Sequence, residues 1–153
     1  MPIESPFSKY KRTNFKIYIV VCILAAIWFG YDGYFNKNFK QKHTDPNGKS
    51  DSTLRFNQIS PPFFLGAAVL LGAYFAVARK RKIVADENEL ILSATEIVPY
   101  ASIQKIDKTH FSKKGFFVIT YTDKSGKEVD RKMSDRKYDN LGPVLDHLVT
   151  KIS

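Results

Sequence analysis

The sequence predicts a membrane α-helical hairpin followed by a small α+β domain. Three observations carry this expectation. Two nearly uncharged apolar stretches occupy residues 17–35 and 59–78. Four consecutive cations follow the second stretch directly. From about residue 83 the pattern changes to short β-type runs that end in an amphipathic helix. The mean hydropathy of −0.25 hides this segregation, because almost all the charge lies outside the two stretches.

The chain of 153 residues has room for one ordinary domain, or for a smaller domain and an anchor. Residues 1–16 carry Lys9, Lys11, Arg12 and Lys16 and read as a cytoplasmic N-terminal segment. The first span is predicted over residues 17–35, with an apolar heart from Ile17 to Phe29. Trp28, Tyr31, Tyr34 and Phe35 extend it as an interfacial aromatic belt would. Asp32 reads more simply as a helix-end residue in a Tyr-Asp-Gly-Tyr turn than as a carboxylate in an ion path. A basic start and an apolar run also fit a secretory leader. The bulky aromatic end, without a small-x-small cleavage site, fits a retained helix better. Residues 36–58 are rich in turn formers and predict an irregular extracytoplasmic loop, in which His43 is a solvated histidine.

The second span, residues 59–78, contains no charged side chain. A bilayer core about 30 Å thick takes about 20 helical residues. Pro61 and Pro62 are expected at the start of this helix, where a missing N–H does little harm. Arg79, Lys80, Arg81 and Lys82 mark its end, since each would cost about 2.5–3.5 kcal/mol at mid-membrane. Small residues recur at i, i+4 spacing: Cys22, Ala26 and Gly30 in the first helix, Ala68, Gly72 and Ala76 in the second. Such stripes permit close helix packing, here within the hairpin or against another protein. Cys22 is the sole cysteine and reads as packing. Eight cations flank the outer ends of the two spans and five lie in the loop, so both termini are expected in the cytoplasm of a multi-pass plasma-membrane protein.

In the domain, residues 79–153, runs at 88–93, 95–98 and 102–107 read as short strands, the last with Ile103 and Ile106 offset by a bulge-like step. Phe116 to Thr122 is β-branched and aromatic throughout. Asp123-Lys124-Ser125-Gly126 predicts a tight turn with Gly126 left-handed, and Lys127 to Met133 returns as a second strand with Val129, Arg131 and Met133 on one face. Leu141, Val144, Leu145, Leu148, Val149 and Ile152 recur at helical spacing, with Asp139 or Asn140 available as a cap and Pro143 in the first turn. About five strands are expected to form a small barrel or curved sheet closed by this helix.

Short antiparallel strands capped by one C-terminal amphipathic helix resemble a pleckstrin-homology-like domain. The stretch ENELILSATEIVPYASIQKIDK is similar to the opening of its short bacterial version, with the step Pro99-Tyr100-Ala101-Ser102-Ile103. The resemblance covers about residues 83–152 and implies a two-pass membrane protein that carries such a domain after its second helix. It implies no enzymatic activity.

Candidate chemistry is sparse. Asp107, His110 and Ser112 lie close in sequence, but triads assemble from distant segments, and a polar connection explains them. His147 beside Asp146 reads as a surface or half-buried helix residue. No phosphate-cradling glycine loop, zinc spacing or cofactor signature occurs, and no small-molecule substrate is implied. The net charge of +9 suggests nucleic acid or anionic lipid. From Arg79 onward there are 15 Lys and Arg against 11 Asp and Glu, and the four juxtamembrane cations account for that whole excess. The domain proper is thus balanced, which argues against nucleic acid and for membrane lipids. Arg79 to Lys82, with Lys113 and Lys114, are the expected headgroup contacts. The expectation is a non-enzymatic, membrane-anchored interaction module that contacts lipid headgroups, a protein partner or a second copy. The alternative is an accessory subunit of a larger membrane complex, held by its helices.

Overall fold

A computed structural model describes residues 1–152, which divide into two compact units. One spans Thr13–Ala76; the other joins Met1–Arg12 to the chain from Val77 onward.

The first unit is a helical hairpin. Helix α1 (Lys9–Gly30) runs into a π-helical turn at Tyr31–Phe35, followed by a short helix α2 (Lys37–Lys42) and the long helix α3 (Ser52–Ala78). Both long helices exceed their apolar cores. Helix α1 starts at Lys9, so the N-terminal cations lie on its first two turns, and α3 starts at Ser52 rather than 59. The connection is accordingly more ordered than its turn-former composition implied. Asn36 accepts the Phe39 N–H at 3.1 Å to cap α2, and His43 Nδ1 meets Asp51 Oδ2 at 2.7 Å.

Pro61 and Pro62 therefore lie inside α3, not at its start. In a helix their N–H groups would donate to the carbonyls of Asn57 and Gln58; without them those acceptors are freed. The π-helical turn takes up the second. Tyr34 Oη donates to the Gln58 carbonyl at 2.7 Å, and Gln58 Nε2 donates to the Gly33 carbonyl at 3.2 Å. Gly33 is buried against Asn57, close enough that an added Cβ would sit 2.6 Å from the Asn57 oxygen. Asp32 is held in this turn, accepting from Asn36 Nδ2 at 2.8 Å. The wide turn replaces the simple turn expected there.

Below this clasp the seam is aromatic. Phe29 packs on Phe56 and Phe64, and Phe15 on Tyr74 and Phe75, with centroids 5.3–6.0 Å apart. The outward faces are apolar: Ile17, Leu24, Ile27, Trp28, Phe63, Val69 and Leu70 are exposed. Both helices are long and apolar enough to cross a membrane, and only 6% and 11% of their apolar windows is buried. A soluble core helix would hide that surface.

The second unit is an α+β domain. Strands β1 (Ile3–Pro6), β2 (Lys82–Ala85), β3 (Glu89–Ile91) and β4 (Ile97–Pro99) form one antiparallel sheet in that order. Strands β5 (Ile103–Asp107), β6 (Phe116–Thr122) and β7 (Glu128–Ser134) form a second. A short helix α4 (Phe111–Lys114) links β5 to β6, and α5 (Leu141–Ile152) is the last described element. The register shift between Ile103 and Lys105 is the bulge expected from the Ile103/Ile106 offset. Gly126 closes the β6–β7 hairpin at φ +80, the left-handed conformation a side chain disfavours. Leu141, Val144, Leu145 and Leu148 of α5 pack with Ile83, Leu90, Val98, Phe117, Ile119 and Met133 into one core.

Strands β1 and β2 lie outside the expected five. The N-terminal segment is thus part of the domain, paired along β2 from Ile3↔Ala85 to Pro6↔Lys82. Phe7 bridges Tyr138, and Ser5 and Ser8 are fully buried. Asp139 and Asn140 both bond to this junction. The Lys9 N–H donates to Asp139 Oδ2 at 2.9 Å, and Asn140 Nδ2 donates to the Glu4 carbonyl at 3.2 Å.

Candidate ligand-binding cleft

The residues just after α3 open into a cleft of about 580 Å³. Its near wall comes from Lys80 to Val84, its floor from Ile91 and Leu92 of the β3 region, and its far wall from Arg131, Lys132 and Met133 of β7. Ser93, Ala94 and Glu96 of the next turn, with Lys137 and Tyr138, complete the lining. Six cations line it against one acid, Glu96.

That acid is held firmly. Ser93 Oγ accepts the N–H groups of Thr95 and Glu96 at 3.3 and 3.0 Å, which shapes the turn that carries Glu96 inward. Glu96 Oε1 then accepts from Arg131 Nε and Tyr121 Oη, both at 2.8 Å, and from a second guanidinium nitrogen. Burial works to raise the Glu96 carboxyl, but the bonds from Arg131 and Tyr121 and the guanidinium charge outweigh it and hold the acid below its ordinary value. The same contact raises Arg131. Burial, then the bond to Glu96, pushes the Tyr121 phenol up.

Other cations are also engaged. Lys82 Nζ pairs with Glu4 Oε1 at 2.6 Å, Lys132 Nζ stands 3.7 Å over the Phe116 ring, and Lys137 Nζ stands 5.6 Å from the Tyr138 centroid. Positive charge is therefore spread along the rim and not focused on one point.

Of the expected headgroup residues, Lys80, Arg81 and Lys82 line the cleft, while Arg79 is exposed outside it. Lys113 and Lys114 are exposed on α4 and do not line it. Sequence reasoning missed Arg131, Lys132, Lys137 and Glu96. One signal was present: Arg131 shares a strand face with Val129 and the buried Met133, and a cation on such a face needs a partner. Nothing local points to Glu96, which is 35 residues away.

The small-residue stripes divide. Ala26 and Ala68 are buried, Cys22 is half-buried, and a Cβ on Gly30 would touch the Pro61 ring at 3.7 Å. Gly72 has nothing within 4 Å of a Cβ, and Ala76 is exposed. The reason is geometric. Steps of four residues precess about 40° each around an α-helix, so the stripe that starts at Ala68 turns off the seam by Gly72 and Ala76.

Among the described residues, no three His, Cys, Asp or Glu side chains converge to hold a metal ion. His110 stacks on Phe116 at 5.2 Å, and His147 Nε2 lies 3.0 Å from the Asp86 carbonyl. Neither imidazole meets a hydroxyl nucleophile. Compared with known protein families, curated proteins and solved structures, the chain shows no match.

Proposed function

We propose that this protein is a non-enzymatic, membrane-anchored interaction module. Its helical hairpin spans the plasma membrane, and its PH-like domain contacts a partner at the cytoplasmic face. The carrying observation is the coupling of an apolar-surfaced hairpin to a domain with a basic cleft that opens where α3 ends. Seven antiparallel strands in sheets of four and three, closed by a C-terminal helix, support the pleckstrin-homology-like reading. The β1–β2 pairing supports two crossings: β1 precedes α1 and β2 follows α3, so both helices end on the same side. Arg79 and the cations after it favour the anionic cytoplasmic leaflet, each contributing about 1 kcal/mol near the surface.

Topology is tested by replacing Cys22 with Ala and placing a single cysteine at Asn47 or Ser125. An impermeant maleimide on intact cells should label position 47 and spare position 125; the reverse pattern refutes the orientation. Photo-crosslinking residues placed at Lys80 and Lys137 should capture a protein or lipid partner. The accessory-subunit reading is favoured by one observation, that Gly72 and Ala76 of the small-residue stripe lie off the seam. Crosslinks from Gly72 and Ala76 but not from the cleft support that reading and sink the domain-centred one.

A further inference from the structure

We propose that the cleft takes an extended acidic segment of a partner protein, added as a strand to the free edge of β7. This rests on the interaction-module reading and names its partner by chemistry. The hairpin that closes β6 and β7 sets the ladder: the Asp123 N–H donates to the Lys127 carbonyl at 2.8 Å. Bonded and non-bonded pairs alternate along an antiparallel ladder. The pairs Tyr121/Val129, Ile119/Arg131 and Phe117/Met133 therefore exchange bonds between β6 and β7. Glu128, Asp130, Lys132 and Ser134 turn their backbone groups the other way. The Ser134 carbonyl in that series accepts from Lys137 and Tyr138, as the geometry requires. Among the described residues, no strand or hydrogen bond covers the backbone groups of Asp130 and Lys132. They form a template at the rim of the cleft, beside the wall formed by Arg131, Lys132 and Met133.

The charge pattern selects the occupant. A compact phosphate needs converging donors, whereas here Arg131 is committed to Glu96, Lys82 to Glu4, and the ammonium of Lys132 to the outer face over Phe116. Carboxylates spaced along a strand can each meet a different cation of the lining, which does not require the donors to converge. The apolar lining residues Ile91, Leu92 and Met133 suit the apolar residues that alternate with acids along a strand. The volume of about 580 Å³ exceeds what one phosphate fills.

The test uses the full chain in nanodiscs, because β1 precedes α1 and a fragment from residue 83 lacks it. The probe is a labelled octapeptide of alternating Glu and Val. Controls are its Lys/Val counterpart, a version N-methylated at alternate residues, and soluble glycerol phosphate. Nanodiscs are prepared with and without phosphatidylglycerol. The acidic peptide should bind, slow amide exchange at Asp130 and Lys132, and lose at least tenfold in affinity on N-methylation. Asp130→Pro removes one edge donor and the side-chain bond from Thr120, spares every backbone bond between β6 and β7 and leaves every cation in place, so it too should weaken binding at least tenfold. Equal binding of the N-methylated peptide, or no slowing at Asp130 and Lys132 at saturation, overturns strand addition. Glycerol phosphate or phosphatidylglycerol perturbing Lys80 and Lys137 while the peptide does not bind assigns the cleft to headgroups and also overturns it. In either case, cleft crosslinks in cells would leave the module reading standing; crosslinks confined to the helices would remove both.

Discussion

Gly33→Ala tests the contact that joins the two helices. The added methyl carbon would stand 2.6 Å from the Asn57 oxygen, 2.8 Å from its carbonyl carbon and 3.0 Å from the Gln58 nitrogen. All three are backbone atoms of α3, so no side chain can swing away. Relief requires the π-helical turn and α3 to separate, which also stretches the Tyr34–Gln58 and Gln58–Gly33 bonds. Overpacking of this kind costs about 1–3 kcal/mol, and a value near 2 raises the unfolding constant roughly 30-fold. Gly72→Ala is the control, since nothing lies within 4 Å of its Cβ. Trp28, the single tryptophan, reports from the first helix. Equilibrium unfolding in mixed detergent micelles, followed by its fluorescence, should show Gly33→Ala destabilised and Gly72→Ala unchanged or slightly stabilised. Equal stability of Gly33→Ala and the wild type, or a larger loss in Gly72→Ala, refutes the packing described for this seam.

Pro62→Ala restores a helix donor that competes with Tyr34 for the Gln58 carbonyl. Tyr34→Phe should therefore cost about 0.5–1.5 kcal/mol alone and much less beside Pro62→Ala, as a double-mutant cycle in the same micelles would measure. Phe7→Ala should destabilise the domain by about 3–5 kcal/mol, because this residue before α1 is 4% exposed and bridges Tyr138; proteolysis of the β6–β7 hairpin in the intact protein would report it. Glu96 is held below its ordinary carboxyl value, so its contribution to stability is fully present above that value, near 4.5, and is lost as pH falls through the lower folded one. Glu96→Gln should flatten the acid limb of the stability–pH profile; an unchanged limb would place that dependence on another carboxylate.

Local signals account for much of the domain. Phe116 to Thr122 alternates buried and half-buried residues, as a strand of β-branched and aromatic residues does when one face meets a core. Gly126 lies where a three-residue loop needs a positive φ. The α5 stripe buries the predicted face, because period 3.6 aligns those residues whatever they pack against. The strand β1 was not legible. Ile3 to Pro6 is too short and mixed to announce a strand, and its partner begins 76 residues later. The same distance effect hid Glu96 from Arg131.

By itself the sequence determined the two long apolar helices and the strands and helix of the domain's C-terminal half, since each depends on spacing and composition within a short window. The tertiary structure alone decided that Pro62 frees the Gln58 carbonyl for Tyr34, that Met1–Arg12 joins the domain, and that cations from three segments share one cleft. Those outcomes require residues far apart in the chain to meet. Which partner a freed carbonyl or an inward guanidinium finds depends on the packing of the whole fold, not on the residues beside it.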